Sequence, residues 1–336
     1  MKTKNRFLEY LRLLRLQGAA GTAAAALIGR LVMEDQHDLF LLFILFIICI
    51  LSHIFTYVFN EYTDIKVDKE SQDLKKKPLV SGAISKNHAL LIAFSASFFA
   101  YVLTVIFFRS IFPLIFLSLA LLSGGIYDIF GKKIPGSDTL IAGSTLFLCL
   151  FGASTVSINF TNLAYIVSFS CLFHVIFNNA VEGGLKDVDH DFLAGAKTTA
   201  TRMGVKVKEG KLLITKKFKI FAYGTKLVFI GLIVLAGFQP EVNLWQSGNY
   251  MIHIIVIFLG VVVFTTFYKF WHPPVFDRSR LIRLFGIHEI TAYFLGPVIL
   301  LPLLGLKITL VLLLLPLFWF LIANLALYGK PMQPQV

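Results

Sequence analysis

Asn60, Asp64 and Asp68 stand four residues apart where an apolar run ends and a lysine-rich loop begins. Carried through a helix, that spacing stacks an amide and two carboxylates on one face, each about one turn from the last. Asp187 and Asp191 repeat the interval far along the chain, again after an apolar run and again before a basic loop. Hard oxygen donors at this spacing suit Mg²⁺, which keeps several waters and binds through one or two carboxylates plus substrate phosphates. Two such pairs imply one shared site for a diphosphate, with Asp64, Asp68, Asp187 and Asp191 as metal ligands and catalytic centre. Solvated Asp residues at helix ends would explain either pair alone. They would not explain why both pairs follow Asn residues (Asn60, Asn178 and Asn179) just past apolar segments.

Basic residues stand beside both motifs. The first loop reads Lys75-Lys76-Lys77-Pro78-Leu79-Val80-Ser81-Gly82, and Pro78 with Gly82 predicts a turn before a helix capped at Ser85. Cations next to a carboxylate-bound metal neutralise diphosphate oxygens that the metal leaves unpaired. Lys77 is the preferred member, although a run of lysines beside a span is also a topology signal. Tyr127 precedes a second pair, Lys132 and Lys133; it fits an interfacial aromatic, and its spacing to the lysines gives all three a second reading as site residues. His53 and His174 precede the two motifs, where a lone His more often bonds a neighbouring helix than lines a site. Arg30 and Lys226 fit snorkelling positions. Glu289 fits pairing within the bundle, and Glu182 is a weak site candidate.

The elements that position these residues are set by composition. Of 336 residues, 57% are hydrophobic and only 15% charged, and the mean hydropathy is +0.78. A chain this apolar is an integral membrane protein rather than a soluble domain. Cys49, Cys149 and Cys171 lie in apolar runs without metal-ligand spacing, so no disulfide framework or cysteine metal site is expected. Residues 1–16 read as a basic amphipathic segment on the membrane surface and 17–336 as the transmembrane domain, with motif loops at 60–87 and 183–217.

Apolar stretches able to cross roughly 30 Å of hydrocarbon fall near 17–34, 38–60, 88–108, 111–127, 137–157, 161–182, 218–237, 249–268, 286–305 and 308–328. The expected fold is therefore all-α, a polytopic transmembrane bundle of nine or ten helices. Lysine and arginine crowd the N-terminus and the loops 61–87, 128–136, 183–217 and 269–285, while the alternate loops carry almost none. That bias places both motif loops in the cytoplasm. Four spans separate the motifs, an even number, so topology puts them on one side of the membrane.

The ordered motifs resemble those of the UbiA superfamily of intramembrane aromatic and lipid prenyltransferases. Asn60, Asp64 and Asp68 match its N-x-x-x-D-x-x-x-D, and the following Lys-Pro-Leu-Val-Ser-Gly is similar to its R-P-L-x-x-G. Asp187 and Asp191 match the second D-x-x-x-D, followed by Ala194-Gly195-Ala196-Lys197-Thr198, and Tyr127 with Lys132 and Lys133 looks like the family's Tyr-Lys segment. Lys77 stands where Arg is commoner, which keeps the charge but loses the bidentate fork. Gly184 stands where many members carry a polar or acidic residue. The resemblance implies Mg²⁺-dependent transfer of a prenyl group from a polyprenyl diphosphate to a hydrophobic or aromatic acceptor, with Asn60, Tyr127 and the lysines on the diphosphate. It implies the lipid bilayer as environment and no nucleic-acid or protein partner. Two other readings stay open: a transporter with cytoplasmic cation-binding carboxylates, and an enzyme like the CDP-alcohol phosphotransferases, whose Asp-Gly-x-x-Ala-Arg run is missing before either Asp pair.

Overall fold

In the computed structural model of the chain, residues 6–33, 38–69, 73–131, 133–193, 195–246, 248–271 and 275–330 are described. All ten expected apolar segments are helical. Eight helices among the described residues are long and apolar enough to cross a membrane. The other two are shorter: α2 (Ala19–Leu31) has 13 residues and α6 (Asp138–Ser154) has 17.

The chain divides into two compact units. The first holds α1 (Arg6–Leu13), α2, α3 (Leu39–Asp68), α4 (Lys86–Phe107), nearly all of α5 (Ile111–Phe130), most of α6 and the end of α14 (Leu301–Tyr328). The Asp38 carboxylate accepts hydrogen bonds from Phe40 N and Leu41 N, which fixes the start of α3. No glycine or proline interrupts its 30 residues, so the helix runs straight through the first motif to Asp68. As expected, Ser85 caps α4, accepting from His88 N at 3.3 Å, and Gly82 takes the positive φ that ends the preceding loop. The Ala-rich α2 is buried along almost its whole length. A Cβ on Gly29 would overlap the Cys149 carbonyl, and one on Gly152 would overlap the Ala26 carbonyl, so α2 and α6 meet backbone to backbone. Small residues give helices this close approach inside a membrane, where water does not drive them together.

The second unit holds α7 (Asn162–Ile176), a π-helical turn (Phe177–Gly183), the short α8 (Gly184–Lys186), α9 (Val188–Leu193) and α10 (Thr199–Arg202). A two-stranded hairpin follows, β1 (Lys206–Lys208) against β2 (Lys211–Leu213), and then α11 (Lys216–Gly237), α12 (Tyr250–Phe270) and α13 (Arg278–Ile299). The hairpin turns through Glu209 (φ 51°) and Gly210 (φ 71°), the left-handed pair that matches strand twist. One apolar core joins these parts: Phe177, Leu185, Val188, Leu212, Phe218, Phe270 and Leu281 are buried together. The helices' other faces carry exposed apolar side chains at helical spacing, as in Met251, Ile254, Phe258 and Val261 of α12, the pattern of a lipid-facing surface. The span expected at 286–305 begins instead at Arg278, because Asp277 caps α13 by accepting from Arg280 N at 3.1 Å. The expected break near Gly305 is present as a kink inside α14, where Gly305 has φ 72°.

Candidate active site

In the first unit the helical face of α3 carries Asn60, Asp64 and Asp68 one turn apart, and the structure ties each of its ends to a charged partner. Asp68 is buried, and its Oδ2 accepts from Lys77 Nζ at 2.8 Å. Lys77 also lies 3.2 Å from Glu61 Oε1, and Glu61 in turn binds Arg15 Nη2 at 2.5 Å. Burial works against the Arg15 charge, but Glu61 and more distant acidic neighbours more than offset it, so its pKa stands above the ordinary value. At the other end Asn60 Nδ2 donates to Asp128 Oδ1 at 3.1 Å. Asp128 is buried on α5, its Oδ2 has no hydrogen-bond partner among the described residues, and Asp64 lies within electrostatic reach. Asp64 and Tyr127 are half-buried.

In the second unit Asp187 sits at the junction of α8 and α9. The backbone there leaves ideal helix geometry (φ −105°, ψ 4°), yet Asp191 N still donates to Asp187 O at 2.9 Å, so the two aspartates keep their one-turn spacing. Arg278 Nη2 donates to Asp187 Oδ1 at 2.6 Å, and Lys186 Nζ lies 3.4 Å from Oδ2. Thr199 Oγ1 donates to Asp138 Oδ2 at 2.5 Å, holding α10 beside the start of α6. Gly184 has a packing reason: a Cβ there would stand 2.8 Å from that of Ala200, closer than two side chains tolerate.

Deeper in this unit lies a polar group gathered from three helices. Lys226 is buried, with its ammonium 3.6 Å from the Phe177 ring centre and within electrostatic reach of Glu182 and Glu289. Glu289 accepts from Asn178 Nδ2 at 3.1 Å, and the same amide approaches His174 Nε2 at 3.3 Å. Lys226 is thus a core residue rather than a snorkelling one. Arg30 is likewise buried, with Nη1 donating to Thr155 Oγ1 at 2.8 Å. His53 bonds Thr22 Oγ1 and Arg15 O, each at 2.9 Å, the fastening role that a lone His usually has.

Of the nine expected site residues, the structure brings Lys77 to Asp68 and turns Asn60 to Asp128. Lys133 is exposed, with its ammonium 5.7 Å from the Phe130 ring centre, and Lys132 lies outside the described residues. Glu61, Arg15, Asp128 and Arg278 are the charged neighbours that sequence reasoning passed over. The available signal was acids and bases inside or at the edge of apolar runs.

The donor chemistry fits Mg²⁺. Among the described residues no three His, Cys, Asp or Glu side chains gather into a cage that would hold a metal alone. Each motif offers two carboxylates, the set that binds Mg²⁺ when a substrate's phosphates complete the shell.

The model of the UbiA prenyltransferase family matches residues 21–274. The chain belongs to that family. The match sets aside the transporter and CDP-alcohol phosphotransferase readings. A 4-hydroxybenzoate octaprenyltransferase from Nitrosomonas eutropha is 28% identical over 211 residues, 61% of this chain and 65% of that relative. A digeranylgeranylglyceryl phosphate synthase from Saccharolobus solfataricus is 24% identical over 245 residues, 71% of this chain and 79% of that relative. A solved UbiA homologue from Archaeoglobus fulgidus, bound to GPP and Mg²⁺, superposes with a TM-score of 0.63 at 16% identity, covering 87% of this chain and 99% of the other. That likeness establishes the UbiA fold for a multi-pass membrane helical bundle.

Proposed function

We propose that the protein transfers a prenyl group from a polyprenyl diphosphate to an aromatic or glyceryl phosphate acceptor, with Mg²⁺ as cofactor and diphosphate as leaving group. The observation that carries this reading is the unbroken helix α3, which keeps Asn60, Asp64 and Asp68 on one face with Lys77 on the last of them, in a chain of the prenyltransferase family. The acceptor class is supported by the two relatives, one named for an aromatic acid and one for a glyceryl phosphate. The diphosphate and the metal are supported by the A. fulgidus homologue solved with GPP and Mg²⁺. The lysine excess of both motif loops supports a cytoplasmic site.

In this reading Asp64, Asp68, Asp187 and Asp191 are the oxygen ligands of the ion. Bound Mg²⁺ supplies positive charge against the diphosphate as it departs. Asn60, Lys77, Tyr127, Lys132 and Lys133 contact the diphosphate. Lys77, held by Asp68 and Glu61, is already oriented by two carboxylates, so a diphosphate oxygen meets a charged donor whose rotamer freedom is spent. The C1–O bond breaks with its electron pair going to diphosphate, the acceptor bonds C1, and the acceptor gives up a proton.

The test uses purified protein with geranylgeranyl diphosphate, 4-hydroxybenzoate or geranylgeranylglyceryl phosphate, and Mg²⁺. Diphosphate release that needs the acceptor and stops on chelation is the expected result. No prenyl transfer to either acceptor under any metal would contradict the proposal.

A further inference from the structure

A hollow of about 430 Å³ opens beside the hairpin of the second unit, lined by Lys206, Leu212, Ile214, Thr215, Lys219 and Trp271. Its chemistry is one-sided. No carboxylate lines it, and neither Lys206 nor Lys219 has a carboxylate partner among the described residues; the ion contact on the hairpin itself is the exposed Lys208–Glu209 pair at 3.8 Å. Lys219 belongs to the first turn of α11, where the helix dipole adds positive potential. Trp271 closes the hollow directly after α12, the depth at which Trp marks the boundary between hydrocarbon and head groups. It is 7% exposed, and its ring lies 5.8 Å from Lys219 Nζ. Leu212 and Ile214 give the same hollow an apolar wall.

Two ammonium groups without a carboxylate partner among the described residues and an apolar wall at interfacial depth suit an amphiphile with an anionic phosphate head. We propose that this hollow binds the phosphate of an anionic phospholipid, held by Lys206 and Lys219 beside the Trp271 ring. Lys208 and Lys211 are exposed on the same hairpin, as Lys206 is, but do not line the hollow, so they separate a built site from a general field of positive charge.

The experiment measures lipids bound to the full chain in neutral detergent by native mass spectrometry, with thermal unfolding as a second readout. The probes are dioleoylphosphatidylglycerol, dioleoylphosphatidylcholine and inorganic phosphate. The wild type should retain phosphatidylglycerol about tenfold more tightly than phosphatidylcholine and unfold at a higher temperature with it. Lys206→Gln with Lys219→Gln should bring the two lipids level, and Lys208→Gln with Lys211→Gln should keep the preference. Variants whose unfolding temperature in phosphatidylcholine matches the wild type give the comparison; the single Lys206→Gln serves if the double variant does not fold. Equal loss from both lysine pairs, or preference kept without Lys206 and Lys219, would overturn the site. A thermal shift with inorganic phosphate as large as with phosphatidylglycerol would assign the hollow to free phosphate and overturn the lipid.

Discussion

Lys77 Nζ lies 2.8 Å from Asp68 Oδ2, so the loop lysine and the last carboxylate of the first motif form a largely buried ion pair. The pair is also shared: Glu61, 3.2 Å from the same ammonium, brings Arg15 into the network. A cation so placed both balances buried acids and offers a donor to an incoming anion.

Replacing Lys77 with Gln should therefore have two consequences. Binding of a prenyl diphosphate should weaken by about 1.5–3 kcal/mol, the worth of a charge-assisted hydrogen bond. The unfolding temperature should also fall, because Asp68 loses its cation while still buried. The exposed Lys208→Gln is the control and should change neither. Titration of the diphosphate substrate against each variant, with a thermal scan beside it, checks both effects; equal weakening by the two variants would show that the lysines act only as a field.

The α2–α6 contact makes a prediction about folding alone. Gly152→Val would drive a side chain into the Ala26 carbonyl, at a cost of about 3 kcal/mol. Gly21→Ala on the same α2 meets open space and should be neutral. Thermal unfolding of both variants decides the matter, and a stable Gly152→Val protein would mean that the helices do not pack through their backbones.

The two variants also show what the sequence reveals and what it hides. The ten apolar segments and the Asn60, Asp64 and Asp68 face were legible because span length and helix period are local properties of the chain. The capping role of Ser85 was legible for the same reason. The network of Glu61 with Arg15 and Lys77 was not, since helical spacing says which residues share a face and not which distant side chain meets it. The π-helical turn before Asp187 changes the hydrogen-bond register without changing the hydrophobic pattern, so nothing in the pattern marks it. The hairpin at 206–213 was hidden by its lysines, which read as a topology signal while Val207 and Leu212 carried a weak strand alternation. Gly184 looked like a departure from the family pattern, and only the nearness of Ala200 gives its cause.

Lys226 and Glu182, both buried in the second unit, predict coupling. Lys226→Met should destabilise the fold, since Glu182, buried and within electrostatic reach of the ammonium, would keep its burial and lose the nearby positive charge. Adding Glu182→Gln to Lys226→Met should recover part of that loss, so the two changes should not be additive. A double-mutant cycle on unfolding temperature or denaturant midpoint measures this; additive effects would place the two charges in separate environments.

The most direct test of the central claim is prenyl transfer by Asp64→Asn and Asp187→Asn across a Mg²⁺ titration. Each change keeps the side chain's shape, removes one charge from an oxygen-ligand set, and touches no apolar core. Turnover should fall by about a hundredfold or more in both variants, with an unfolding temperature near that of the wild type for Asp64→Asn and at most slightly lower for Asp187→Asn, which weakens a part-exposed ion pair with Arg278. Near wild-type turnover in either one would contradict the assignment of both aspartate motifs to the chemistry.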